Sequence, residues 1–203
     1  MIYHISFRNL KINKSWVKKM SKEELWCYKK IIRDANRLPK KIIKMLVDNN
    51  IELYFTDAIS SNGTYFRIIP TNDYTKKEIY LSVYHVIDEK IEKNMSALYH
   101  EVGHAIDNIL INKKPKDTCN VNDHFSSGMK FRHVFKNRGL DSYAKSEPWE
   151  YFAVGFMSYF QKNIKDYKPT YYGEHNKKEL KTRDLPLYNY IENIVRGQLV
   201  ING

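Results

Sequence analysis

Apolar and polar positions alternate with different periods along the chain, and the changes of period mark out its elements. "SKEELWCYKKIIRDANR" interleaves apolar residues with Lys, Glu and Arg, and Ser21 followed by Glu24 forms a capping box. A first helix is therefore expected from Ser21. Pro39 marks a break, and "KKIIKMLVDNN" predicts a second short helix closed by asparagines. "IELYFTD" then alternates as a strand does, and "TYFRIIP" and "EIYLSVYH" are β-branched and aromatic runs bounded by turn residues. A helical pattern returns from Glu89 or Asn94 to Ile111. After the turn-rich "KKPKDTCNVNDHFSS" come a short helix, "GMKFRHVFKNRG", with Gly139 as its C-cap, and a long apolar one, "EPWEYFAVGFMSYFQKN", with Pro148 in its first turn. "LPLYNYIENIVRG" predicts a last helix. Helices, then at least three strands, then helices, without a repeat or a Pro/Gly/Ser-rich linker, make the expected fold class α+β.

Composition agrees with a folded chain. Hydrophobic residues make up 42% and charged residues 28% of the 203 positions, well away from the disordered class, and this length buries a substantial core. Cys27 and Cys119 allow one disulfide but no framework, and with no CxxC spacing neither looks like half of a thiolate metal site. No apolar run approaches the ~18 residues of a membrane-spanning helix. The N-terminus lacks the apolar core and small-residue cleavage site of a secretory signal, so a cytoplasmic location is one expectation. The net charge of +11 is uneven: residues 1–50 carry 13 Lys/Arg against 4 Asp/Glu, residues 51–150 carry 13 against 14, and residues 151–203 carry 8 against 5. A basic N-terminal end can meet nucleic acid, an anionic membrane or an acidic partner, and a solvated face is the simpler reading.

Chemistry concentrates in "ALYHEVGHAIDNIL". Residues four apart on a helix lie about 40° apart around its axis, so His100 and His104 project from one face. Two imidazole nitrogens so placed can reach one zinc ion at ~2.0–2.1 Å. Glu101, rotated by about 100° from His100, is placed to serve as general base toward a water rather than as a ligand. Leu98, Val102, Ala105, Ile106 and Ile109 form the opposite, apolar side. Gly103 costs about 1 kcal/mol of helix stability relative to Ala, and its missing side chain lets another element approach.

A catalytic zinc site needs a third protein ligand. The extension HExxHxxGxxH is absent, because Asp107 and Leu110 stand at its Gly and His positions. His124, His133, Glu147 and Glu150 are the candidates. His124 lies in the polar loop and His133 on a short helix full of aromatics and Lys/Arg, and for both, as for His4, His85 and His175, a surface or satisfied histidine is the simpler reading. Glu150 lies one turn into an apolar helix beside Trp149, Tyr151, Phe152 and Ala153, where an unpaired carboxylate is costly to bury and a cation removes the cost. Glu150 is the choice, and its neighbours Ala153, Val154 and Met157 suit packing against the histidine helix.

"HEVGHAID", "SYAKSEPWEYFA" and "LPLYNYIENI", in this order and spacing, resemble the zinc-peptidase domain of anthrax lethal factor and its small relatives, the clostridial Pro-Pro endopeptidases. The likeness runs from about Leu38 onward. It implies a single zincin-like peptidase domain over 36–203, with a small mixed sheet, the HExxH helix and a C-terminal helical lobe. Residues 1–35 are expected as a basic helical extension packed on that domain. The resemblance also implies one Zn2+ per chain held by His100, His104 and Glu150, with Glu101 as base. Tyr143, seven residues before Glu150, resembles the tyrosine that stabilises the oxyanion or assists the leaving amine. Asp107 is a possible outer partner of an imidazole N–H, with helix-surface solvation as the other reading, and Glu147 is a second possible outer partner. Where the family has an acidic residue four positions after its ligand glutamate, this chain has Val154.

The expected function is a monomeric zinc metalloendopeptidase acting on an extended segment of a protein or peptide, with nucleic acid not expected as a partner. Family likeness points to export. The alternative is an inactive zincin scaffold whose basic end binds nucleic acid or an anionic surface.

Overall fold

The computed structural model describes residues 2–56, 77–82, 97–111, 144, 148–161 and 176–198. Among them the order is β1 (Ile2–Ile5), α1 (Lys14–Val17), α2 (Lys22–Ala35), α3 (Lys40–Asp48), β2 (Ile51–Thr56), β3 (Lys77–Ser82), α4 (Ala97–Ile111), α5 (Pro148–Phe160), α6 (Lys177–Arg183) and α7 (Leu185–Arg196). The fold is mixed α+β, with a small sheet, a helix bearing the HExxH sequence and a C-terminal helical lobe. Its contacts divide the chain into two compact units, Met1–Glu101 and Val102–Gly203, and the division falls inside α4.

In the first unit, the capping box forms as the sequence requires. Ser21 Oγ accepts from the Glu24 backbone N–H at 3.1 Å, and the Ser21 N–H donates to Glu24 Oε2 at 2.6 Å. From there α2 buries Cys27, Tyr28, Ile31, Ile32 and Ala35 on one side. The four-residue spacing of Ile42 and Leu46 buries both on α3, and Asn49 caps its end. Asn50 follows at φ 54°, a left-handed conformation that asparagine tolerates, and this turns the chain directly into β2.

The sheet has the order β1-β2-β3, with β1 antiparallel and β3 parallel to the central β2. Ile5 pairs with Leu53, and Leu53 with Ile79. Period-two alternation puts Tyr3, Ile5, Leu53, Phe55, Ile79 and Leu81 on the buried face, and His4, Tyr54 and Tyr80 on the other. Besides α1 and α2, the N-terminal segment supplies β1, whose four residues are too few for their alternation to stand out in the sequence. The expected strand "TYFRIIP" and helix "GMKFRHVFKNRG" lie outside the described residues.

In the second unit, the C-terminal helices pack through small residues and a buried polar contact. A Cβ on Gly155 of α5 would collide with the Leu187 side chain and meet Ile191 at 3.2 Å, so the bare glycine lets α7 lie close. The Tyr151 hydroxyl donates to Asp184, which is buried and whose Oδ1 accepts from the Leu187 N–H at 3.2 Å to cap α7. Helix α6, not anticipated from the pattern, starts with its own capping box between Asn176 and Glu179. Gly197, at φ 72°, ends α7 in the left-handed conformation common at helix C-termini.

Candidate metal centre

Helix α4 has an apolar side and a histidine side. Leu98, Val102, Ala105, Ile106 and Ile109 are all buried, which anchors the helix and fixes its rotation. The imidazoles of His100 and His104 keep 14% and 12% of their side-chain surface exposed. His100, Glu101 and His104 each offer a donor atom, and the three atoms lie within 4.8 Å of one another. Glu101 is buried, with Oε1 3.8 Å from His100 Nε2. This His/Glu/His cluster is geometrically suited to hold a metal ion.

Glu150 arrives from the first turn of α5, where the helix dipole favours a carboxylate. Its Oε2 lies 3.5 Å from His104 Nε2. Two donors bound about 2.0–2.1 Å from a tetrahedral zinc are themselves about 3.3–3.4 Å apart, so this separation suits two ligands sharing one ion. The donor atoms that gather within 4.8 Å are those of His100, Glu101 and His104, and they suit a metal ion, with Glu150 beside His104.

A close helix contact brings them together. A Cβ built on Gly103 would stand 2.9 Å from the Ala153 Cα, 3.3 Å from the Ala153 carbonyl oxygen and 3.1 Å from the Phe156 Cβ. Gly103 adjoins His104, and Ala153 sits three residues beyond Glu150. The glycine that weakens α4 as a helix thus lets α5 approach near the histidine pair. Beyond Glu150 the helix is almost wholly apolar and buried, and Val154 is fully so.

Asp107 is fully buried, which removes helix-surface solvation as its explanation. Sequence reasoning missed its neighbour Tyr190 on α7. Burial first, and the negative charge of Asp107 second, push the Tyr190 phenol well above the ordinary tyrosine range. No spacing rule could have paired two residues so far apart in sequence. In the first turn of α4, the Tyr99 hydroxyl donates to the Asp34 backbone carbonyl at 3.2 Å, joining α4 to α2 within the first unit. The sequence candidates Tyr143, Glu147, His124 and His133 lie outside the described residues. His4 is exposed on β1, its ring 5.0 Å from that of Tyr54.

A His-Glu-x-x-His helix in an α+β fold is a zincin-like constellation, consistent with the chemistry of metal-dependent peptidases. Compared with models of protein families, with curated proteins and with solved structures, the chain matches none. No described helix is long and apolar enough to cross a membrane.

Proposed function

We propose that the chain is a zinc metalloendopeptidase of the lethal-factor-like type, in which His100, His104 and Glu150 hold one Zn2+. The observation that carries the reading is the 3.5 Å approach of Glu150 Oε2 to His104 Nε2, made by a residue chosen as third ligand from its apolar sequence context. Bound there, zinc would supply Lewis acidity, polarising a scissile carbonyl and making water easier to deprotonate. Glu101 takes the proton of the attacking water and passes it to the leaving amine. Its carboxylate is buried beside the histidine pair, with Oε1 3.8 Å from His100 Nε2, within reach of a water held between them. Tyr143 donates a hydrogen bond to the negative charge developing on the carbonyl oxygen. The substrate is an extended segment of a protein or peptide, a shape that pairs with the edge of a sheet.

Substitution of the base tests this directly. Glu101→Gln should keep about one zinc per chain by elemental analysis while lowering cleavage of a mixed peptide library by about 10²–10⁴-fold. Undiminished cleavage by that variant would overturn the mechanism. Zinc-loaded wild-type protein that cleaves nothing in the library would leave an inactive scaffold.

A further inference from the structure

The stretch "RNLKINKSWVKKMSK", from Arg8 to Lys22, carries six cations and no acidic residue. All six are exposed. Apolar side chains are set between them: Ile12 is 44% exposed, and Leu10, Trp16, Val17 and Met20 are partly so. This segment is held in place rather than trailing. The Asn13 N–H donates to the Tyr28 hydroxyl at 3.0 Å, and that hydroxyl donates to the Lys11 carbonyl at 3.3 Å. Asn36 Nδ2 donates to the Leu10 carbonyl at 3.0 Å. The Trp16 ring packs 5.4 Å from that of Tyr3 and 5.9 Å from that of Tyr28. Two neighbouring elements, β1 and α2, thus fix the backbone so that lysines and apolar side chains are presented together.

We infer that this segment docks the protein on an anionic phospholipid surface, with the lysines meeting headgroup phosphates and carboxylates and Ile12 entering the interface. Charge complementarity calls for an anionic partner. The choice of a bilayer over nucleic acid comes from the rest of the composition. Five of the six cations are lysines, point charges on flexible stems, where base reading favours the planar fork of arginine. An aliphatic side chain exposed between lysines gains nothing on a polyphosphate strand, whereas a membrane interface buries it. Further exposed cations on the same unit, Lys29, Arg33, Lys40 and Lys41, add to the attraction at long range.

Co-sedimentation of the full chain with vesicles tests this. The protein should bind phosphatidylcholine–phosphatidylserine vesicles, ignore phosphatidylcholine alone, and dissociate as salt is raised. Replacing Lys14, Lys18 and Lys19 by Gln should weaken binding about fivefold per lysine. Ile12→Ser should weaken it again with no change in charge, which separates insertion from pure electrostatics. All four positions are exposed, so unaltered melting temperatures would confirm that the variants fold. Because the metal site plays no part, Glu101→Gln should bind vesicles as the wild type does. The inference fails if neutral vesicles bind equally well, if the lysine and Ile12 variants bind like wild type, or if duplex DNA displaces the protein from the vesicles at equal phosphate concentration.

Discussion

Glu150 lies beside His104 and Asp107 stands three residues after it, and the proposed metal site gives the two carboxylates different tasks. Glu150 keeps 17% of its side chain exposed and points an oxygen at the imidazole nitrogen, as a ligand must. Asp107 is fully buried on the same helix as the histidines and near the Tyr190 phenol, and in the proposed site its task would be to orient an imidazole rather than to bind the ion. Glu150→Ala and Asp107→Asn should therefore differ in degree. Competition with a zinc-binding dye should show the asparagine variant about 10–100-fold weaker for zinc, and the alanine variant weaker still. Equal affinity of Glu150→Ala and wild type would remove the third ligand from the proposal.

At the level of elements, the contact of α4 with α5 turns on one atom that is absent. Ala at position 103 gains about 1 kcal/mol of helix propensity. The same methyl meets backbone at 2.9 Å, and overpacking of this kind costs roughly 1–3 kcal/mol. The second effect wins, because a main chain cannot turn aside as a flexible side chain can. Gly103→Ala should lower the melting temperature and, by pushing α5 away, weaken zinc binding as well. A variant that melts higher with zinc affinity unchanged would show that the approach of the two helices does not set the site.

For the molecule as a whole, two solution behaviours follow. A ligand that binds only the native state stabilises it, by about 2.7 kcal/mol at a hundredfold excess over its dissociation constant. For a chain of this length, zinc removal by a chelator should then lower the melting temperature by about 5–10 °C, and zinc should restore it. The second behaviour concerns alkali. Burial, followed by nearby acidic charge, raises the Tyr99 and Tyr190 phenols above their ordinary value. The native state therefore holds protons that the unfolded chain releases from about pH 10 upward. Their contribution to stability is complete below that pH and is lost as pH rises toward the native values. Denaturant midpoints should fall above about pH 10, with part of the tyrosinate absorbance appearing only on unfolding.

Legibility in the sequence followed the range of the interactions concerned. Ser21 with Glu24 and Ile42 with Leu46 act within one or two helical turns, so spacing alone placed α2 and α3. The separation of His100 and His104 from the apolar side of α4 is likewise a matter of helical period. Strand β1 and helix α6 escaped notice because short elements carry too few positions for a period to show. The sequence by itself determined the α+β class, through its mixture of helical and strand periods, and the face shared by the two histidines, through helical geometry. Only the tertiary structure decided that Glu150 stands 3.5 Å from His104, that Gly103 admits the Ala153 backbone and that Asp107 is buried near Tyr190. Those distances depend on how separate helices pack, which a local pattern of residues does not encode.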